Sequence, residues 1–193
     1  MQIFDDFLDK DNFQKLQNFF MSADFPWYFV PNVSLPPGSI VEDTLAVETY
    51  GFNHTIYDNE TGNRSFVFEN MPIIIETFEN KIGQKVKELL RIRMSMKHPI
   101  QNFTEKNYNL PHVDYPFPHS TLIFYVNDSD GDTRVFDQYH TDLEPDPKYF
   151  TTKLRIKPKA NRMLFLQNGL NFHTASNPFQ FDRRVVLNLN LIL

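Results

Sequence analysis

The second half of the sequence is a series of short apolar segments separated by polar turns, and this pattern limits what the chain can fold into. From residue 91 onward, polar and apolar side chains alternate or form apolar runs of strand length, which predicts β-strands. Such segments occupy residues 91–97, 121–126, 133–136, 153–157, 163–167 and 184–193. Short turns join them, which favours antiparallel sheets, and we expect a hairpin over residues 121–136.

Helical periodicity is concentrated before residue 91. A first helix is predicted within residues 1–24, with Asp11 or Asn12 as its cap, because apolar residues recur there at helical spacing. A second helix is predicted from Asn70 to Leu90, where an apolar stripe has the same period. The expected fold class is mainly β with flanking N-terminal helices, a double-stranded β-helix (jelly roll) whose helices pack against one sheet.

The length and composition fit one globular domain. With 193 residues, 41% of them hydrophobic, the chain can bury a substantial core. We expect a single domain over residues 1–193, with a helical part in 1–90 and a jelly-roll core in 91–193. The sequence has no cysteine, so any metal would have to be held by histidine, aspartate or glutamate.

The sequence also argues against some partners and locations. No segment approaches the roughly eighteen uninterrupted apolar residues of a transmembrane helix, so we expect no membrane partner. The first residues lack the features of a signal peptide, which favours a cytoplasmic protein. A net charge of −5 argues against broad, non-specific binding of nucleic acid. No pattern in the sequence indicates an oligomeric state.

The strongest chemical signal is the pair His112 and Asp114, two residues apart. In an extended chain these side chains point the same way. Imidazole nitrogen and carboxylate oxygen suit a divalent first-row metal, and a third ligand would complete a two-histidine, one-carboxylate facial triad with open coordination positions. His173, which follows the predicted strand 163–167, is the expected third ligand.

A second pair with the same spacing, His140 and Asp142, is the alternative. It runs directly into residues 143–147, whose prolines and acidic residues are typical of a solvated turn. Thirty residues separate Asp142 from His173, which leaves room for only about two strands. We therefore favour His112 and Asp114.

The last predicted strand carries a candidate carboxylate anchor. Arg184 shares one face with Asn188 and Asn190, and a polar face of this kind indicates a wet, ligand-lined interior. Arginine can donate two parallel, charge-assisted hydrogen bonds to a carboxylate, so Arg184 is the first candidate. Arg183 points to the opposite face and is the second.

Two predicted strands, residues 91–97 and 153–157, each carry a basic face. Such faces could attract an anionic substrate. Alternation by itself predicts instead that a polar face lies on the outside of a closed sheet, and we expect this for both strands.

Together these segments resemble the Fe(II)- and 2-oxoglutarate-dependent dioxygenases, particularly the prolyl-hydroxylase-like branch. The resemblance covers roughly residues 91–193, and the N-terminal helices more weakly. In chain order it is carried by His112-Val113-Asp114, Phe124-Tyr125-Val126-Asn127, Gly131-Asp132-Thr133, and His173 with ten residues between it and Arg184. One departure is Gly131-Asp132, where the family often has Gly-Gly, and it concerns the geometry of the hairpin rather than the metal.

The resemblance implies a site and a reaction. His112, Asp114 and His173 would bind Fe(II). Arg184 would pair with the distal carboxylate of 2-oxoglutarate, and Tyr125 would bond to the same carboxylate. The co-substrates would be 2-oxoglutarate and O2, and the reaction would hydroxylate a C–H bond of a peptide side chain or small molecule, releasing succinate and CO2. No protein acid or base beyond the metal ligands is implied.

Two other hypotheses stay open. One is a non-catalytic, cupin-like jelly-roll protein that uses its interior to bind a small ligand. The other is a cupin-like metal enzyme with different chemistry, but such ligand sets are usually richer in histidine, and no His-x-His occurs here. Substrate selectivity would come from the loops in residues 31–64 and 101–118.

Overall fold

The computed structural model of the protein describes residues 1–33, 46–141, 146 and 149–193. These residues form two α-helices, one 3-10 helix and eleven strands. The helices are α1 (Lys10–Phe20), the 3-10 helix (Phe66–Asn70) and α2 (Met71–Ile82). The strands are β1 (Gln2–Phe4), β2 (Tyr28–Val30), β3 (Gly51–Asp58), β4 (Gly62–Asn63), β5 (Glu88–Lys97), β6 (Ser120–Tyr125), β7 (Thr133–Tyr139), β8 (Thr152–Ile156), β9 (Arg162–Leu166), β10 (Asn171–Ala175) and β11 (Arg184–Ile192).

The strands form two antiparallel sheets. The larger sheet has the order β1-β9-β6-β11-β5-β3-β2, with β4 paired to β3, and the smaller sheet has the order β10-β7-β8. Sequence neighbours such as β5 and β6 lie apart, separated by β11, as strands do when a chain winds between the two sheets of a jelly roll. The predicted fold class, mainly β with flanking N-terminal helices, is confirmed.

The helices pack on one face of the larger sheet. Leu16 and Phe20 of α1 and Phe78 of α2 are buried in one apolar cluster with residues of β5, β6 and β11. Because side chains alternate along a strand, the opposite face of these strands is turned toward the smaller sheet. None of the described helices is long and apolar enough to span a membrane.

The two helices start or end at different residues from those predicted. The N-cap of α1 is Asp9, whose carboxylate accepts a hydrogen bond from the backbone N–H of Asn12 at 3.0 Å, rather than Asp11 or Asn12. The helix α2 ends at Ile82 because Gly83 adopts a left-handed conformation with φ 69°. The chain then extends, so the apolar stripe toward Leu89 belongs to the start of β5 and not to the helix.

The expected hairpin over residues 121–136 is wrong. The strand β6 pairs with β11 and β9 in the larger sheet, whereas β7 pairs with β10 and β8 in the smaller one. The connection between β6 and β7 therefore crosses from one sheet to the other. It contains Gly131 and Asp132, and the ion pair of Asp132 with Arg155 on β8, at 2.8 Å, ties it to the smaller sheet.

Candidate metal centre and cavity

The structure brings His112, Asp114 and His173 together. His112 lies beside β10 and forms an isolated antiparallel bridge with His173, with backbone hydrogen bonds of 3.0 and 2.9 Å between the two residues. One side-chain nitrogen or oxygen from each of the three residues lies within 4.8 Å of the others. Asp114 and His173, which are 59 positions apart in the chain, thus lie next to each other. The role of the three residues as metal ligands stays a prediction.

Both imidazoles are oriented by the backbone. The Nδ1 atom of His112 lies 3.0 Å from the carbonyl oxygen of Leu110, and that of His173 lies 3.2 Å from the carbonyl oxygen of Asn171. A carbonyl oxygen can only accept a hydrogen bond, so each Nδ1 carries the proton and each Nε2 keeps its lone pair. Contacts of this kind are typical of histidines that ligate a metal.

The Asp114 carboxylate is held from several sides. Its Oδ1 accepts a hydrogen bond from Nη2 of Arg91 at 2.6 Å, and its Oδ2 accepts one from Nδ2 of Asn190 at 2.9 Å. The same Oδ2 lies 3.5 Å from Nε2 of His173, and both side chains are buried. These contacts fix the carboxylate next to the imidazoles.

Burial is the largest influence on the pKa of each of the three groups. For His112, burial and the neighbouring His173 lower the pKa to about 4. For Asp114, burial raises the pKa, but His173, Arg91 and His112 outweigh it and hold the pKa well below its usual range. For His173, burial lowers the pKa, and contact with Asp114 raises it above the ordinary value. These directions favour a charged Asp114 carboxylate beside His173, and a metal would compete with a proton for the Nε2 atom of His173.

This donor set fits a divalent first-row metal such as Fe(II). Two neutral imidazole nitrogens and one ionised carboxylate are suitable ligands, and three protein ligands leave positions open for other molecules. The groups that orient the ligands are also present, namely the two backbone carbonyls and the partners of Asp114.

A cavity of about 80 Å³ lies next to this centre, between the two sheets. One water needs only about 10–15 Å³ of such a space, so a small molecule can enter. Its wall includes His112 and His173 at one end, and Thr133 and Arg184 from β7 and β11.

Arg184 is buried in the cavity wall beside Tyr125. Its Nε donates to the carbonyl oxygen of Gly131 at 2.7 Å, and its Nη2 donates to the hydroxyl of Thr133 at 2.8 Å. The hydroxyl of Tyr125 donates to the same Thr133 oxygen at 2.7 Å. A guanidinium has five N–H donors, so Arg184 keeps donors for a ligand. Gly131 is required here, because a Cβ atom would lie 2.5 Å from the carbonyl oxygen of Ser176.

The two alternative site residues have different positions. Arg183 is exposed just before β11, whereas Arg184 is buried and lines the cavity, and the role of Arg184 as carboxylate anchor stays a prediction. In the alternative metal pair, Asp142 lies outside the described residues.

The basic faces of two strands were predicted to lie on the outside of the sheets. This prediction is wrong for β5 and is confirmed for residues 153–157. On β8 and just beyond it, Lys153, Arg155 and Lys157 are exposed. On β5, by contrast, Arg93 and Lys97 line the cavity. The apolar face of β5 packs under the helices, so its polar face must turn inward. The inward position of this polar face could have been inferred from the predicted packing of helices against one sheet, but not from the alternation of side chains alone.

The buried cations of β5 have lowered pKa values. Burial, with repulsion from Arg184 and Arg93 partly offset by Glu48, lowers the pKa of Lys97 to about 7. Burial and repulsion from Arg91 lower the pKa of Arg93 to about 10. Perturbed groups in a cavity of this kind are typical of functional sites.

Aromatic and histidine side chains in and next to the loops expected to set substrate selectivity divide into two groups. Tyr115, Phe117 and His119 form an aromatic cluster near Asp114, with the guanidinium of Arg91 at 5.5 Å from the Tyr115 ring. His54 is buried, and its two nitrogens lie 2.7 Å from the carbonyl oxygen of Pro26 and the hydroxyl of Ser65. It therefore has a packing role.

Comparison with known proteins gives a clear result for the fold only. No protein-family model matches the sequence, and no curated protein matches it. Among solved structures, the chain is similar to the non-haem α-ketoglutarate-dependent epimerase SnoN from nogalamycin biosynthesis, with a TM-score of 0.62 and 14% identity over 98% of this chain and 77% of that one. It is similar to a prolyl hydroxylase from Trichoplax adhaerens, solved with a hypoxia-inducible-factor peptide, with a TM-score of 0.58 and 14% identity over 99% and 82% of the two chains.

A third similar structure is a prolyl-4-hydroxylase from Pseudomonas putida, with a TM-score of 0.57 and 12% identity over 98% of this chain and 90% of that one. The chain therefore has the fold of the 2-oxoglutarate- and Fe(II)-dependent oxygenases, and the resemblance seen in the sequence is confirmed at the level of the fold.

Proposed function

We propose that the protein is an Fe(II)- and 2-oxoglutarate-dependent dioxygenase that hydroxylates a C–H bond of its substrate and releases succinate and CO2. One observation carries the proposal. His112, Asp114 and His173 present three ligand atoms within 4.8 Å of one another, at the edge of a cavity that also contains Arg184. The fold shared with oxygenases of this type supports the same conclusion.

The three residues would hold Fe(II) through the Nε2 atoms of the histidines and a carboxylate oxygen of Asp114. When bound, the metal supplies the O2-dependent oxidative decarboxylation of 2-oxoglutarate that is coupled to C–H hydroxylation. The protein itself needs no general acid or base for this chemistry. Its residues keep the ligands oriented, leave coordination positions open and exclude water.

Arg184 would pair with the distal carboxylate of 2-oxoglutarate. It is buried, lines the cavity and lies beside Lys97, which is its cross-strand partner on β5. Two cations at one end of a low-dielectric cavity favour a carboxylate there. Tyr125 would support this end through the Thr133 hydroxyl that it shares with Arg184.

The substrate would be a peptide side chain or a small molecule. The Trichoplax enzyme was solved with a peptide fragment, and SnoN comes from the biosynthesis of nogalamycin, so proteins with this fold act in both settings. The open positions at the metal and the cavity beside it are compatible with either class.

The proposal is tested by adding Fe(II) and then 2-oxoglutarate to the purified protein without oxygen. A keto acid chelated to Fe(II) gives a visible charge-transfer band, which we expect in the wild-type protein and not in Asp114→Ala. The matched control is Asp137→Ala, which removes an exposed aspartate of β7 and should leave the band unchanged. Folded, metal-treated wild-type protein without the band would contradict the proposal and favour a non-catalytic jelly-roll binding protein.

A further inference from the structure

Arg93 of β5 lies in the cavity wall with one nitrogen of its guanidinium unpartnered. Its Nε atom is buried and has no hydrogen-bond partner, and no ion pair among the described residues includes its side chain. Its cross-strand partner on β11 is Asn188, whose Oδ1 atom is also buried without a partner. The unused donor at Arg93 points to a missing ligand that accepts a hydrogen bond, whereas the Asn188 oxygen can only accept one itself.

The strand register gives the position of this pair. Lys97 and Arg184 are cross-strand partners at one end of β5 and β11. Arg91 and Asn190, which contact Asp114, are partners farther along the same two strands. Arg93 and Asn188 lie between these two pairs. The unpartnered groups are thus next to the metal centre, on the side toward Arg184.

No described carboxylate is available to Arg93. Asp114 is the acidic residue of the metal centre, and Arg91 already occupies it at 2.6 Å. The described side chains that line the cavity include no aspartate or glutamate. Asp114 favours the charged form of Arg93 without an ion-pair contact, but burial and Arg91 still lower the pKa of Arg93 to about 10, so a bound anion would offset part of the cost of burying this guanidinium.

The co-substrate does not account for Arg93. Under the proposed function, 2-oxoglutarate has two carboxylates, one chelated to the metal and the other held by Arg184 with Lys97 nearby. Once both are placed, Arg93 is the remaining arginine or lysine among the described residues of the cavity wall. The charge of the loaded site would thus still favour one more anionic group.

We propose that Arg93 binds an oxyanion of the substrate, so that the substrate carries a carboxylate or an equivalent anionic group near the C–H bond that reacts. This inference rests on the proposed function and adds the substrate class to it. A guanidinium can donate charge-assisted hydrogen bonds to a carboxylate, and a buried pair of this kind selects anions over neutral analogues.

The test uses the full chain loaded with Mn(II) and saturating 2-oxoglutarate, which is catalytically inert. The probes are acetate and its neutral analogue acetamide. Mn(II) is paramagnetic, so the NMR relaxation of the probe's methyl protons reports binding close to the metal. We expect enhanced relaxation for acetate and little for acetamide.

Matched variants assign the effect to Arg93. Arg93→Met should weaken acetate binding about tenfold to a hundredfold, as loss of a hydrogen bond between charged groups does. Arg93→Lys should keep part of the affinity. Lys153→Met removes an exposed lysine of β8 and should change nothing.

Three results would overturn the inference. Equal relaxation by acetate in wild type and in Arg93→Met would mean that the anion is bound elsewhere, for example directly on the metal. Equal affinity for acetate and acetamide would exclude selection by charge. Loss of 2-oxoglutarate affinity in Arg93→Met, at unchanged acetate affinity, would make Arg93 a co-substrate ligand. Failure of the wild-type protein to bind 2-oxoglutarate at all would instead refute the proposed function, and with it this inference.

Discussion

Nη2 of Arg91 lies 2.6 Å from Oδ1 of Asp114, so the carboxylate of the candidate metal centre is paired with a cation before any metal binds. The same Nη2 donates to Oδ1 of Asn190 at 3.1 Å, and Nδ2 of Asn190 donates back to Oδ2 of Asp114 at 2.9 Å. The three side chains form a closed cycle that holds the plane of the carboxylate. Arg91 is therefore a positioning residue for the metal ligand rather than a ligand itself.

Replacing Arg91 by methionine should weaken binding of Fe(II) or Mn(II) by about tenfold to a hundredfold, as changes in groups that orient metal ligands do. Removing the positive charge of Arg91 would by itself strengthen the binding of a divalent cation. A weaker metal affinity would therefore show that the Asp114 carboxylate has lost its orientation. Metal titration followed by calorimetry measures it. Lys85→Met, which removes an exposed ion pair with Glu79, is the control. Unchanged or tighter metal binding in Arg91→Met would show that the cycle has no positioning role.

Arg184→Met should weaken binding of 2-oxoglutarate by at least about tenfold, because it removes charge-assisted hydrogen bonds to the distal carboxylate. Metal affinity should stay within about twofold, since Arg184 has no contact with the three ligands among its hydrogen bonds. The adjacent variant Arg183→Met is a close control, because Arg183 is exposed. Titration of the Fe(II)-loaded protein with 2-oxoglutarate compares the two. Equal losses in both variants would argue against Arg184 as the anchor.

The sequence predicted the jelly roll and its flanking helices because both depend on local periodicity. The turn from α2 into β5 was missed, since the apolar residues after Gly83 continue a helical spacing while the glycine ends the helix. The hairpin over residues 121–136 was wrong for another reason. A short polar connection is equally compatible with a turn within one sheet and with a crossing between two sheets, and only the pairing of distant strands decides between them.

Some features of the candidate site could likewise be predicted from the sequence, and others depend on tertiary structure. His112, Asp114 and His173 could be named as candidate ligands from the sequence because residue chemistry, the context of the His-x-Asp pair and the family resemblance pointed to the same three residues. The inward turn of Arg93 and Lys97 could not be derived from alternation, which gives two faces without saying which one is inside. The role of Arg91 also depends on tertiary structure, since Asp114 and Asn190 reach it from elsewhere in the chain.

Binding of 2-oxoglutarate should be coupled to proton uptake by Lys97. Burial, then repulsion from Arg184, lowers its pKa to about 7 in the unliganded protein, and a carboxylate bound at Arg184 would favour the charged amine and raise the pKa. Below about pH 6 the amine is charged in both the unliganded and the bound protein, so this lysine should not make the affinity depend on pH. Above pH 7 binding must take up a proton, so affinity should fall by up to about tenfold per pH unit.

Calorimetry at pH 8 in two buffers of different ionisation enthalpy measures this proton uptake. The wild-type protein should take up a substantial fraction of one proton, and Lys97→Met should take up none. Identical uptake in the two proteins would assign the proton to another group.

Lys97→Met should also stabilise the unliganded protein. The pKa of this lysine falls from 10.5 in the unfolded chain to about 7 in the fold, so the unfolded state binds more protons between these values. The resulting penalty is fully present below pH 7 and disappears as the pH rises toward 10.5. At pH 7 the variant should gain roughly 1–4 kcal/mol in the free energy of unfolding, while its affinity for 2-oxoglutarate falls.

Urea unfolding at pH 7 and pH 9 measures this gain. The wild-type protein should become more stable relative to Lys97→Met at the higher pH, because its lysine is then largely neutral in the fold. The exposed control Lys153→Met should stay within about 0.5 kcal/mol of wild type. A Lys97→Met protein that is no more stable than wild type at pH 7 would mean that the amine is not held at a cost to the fold.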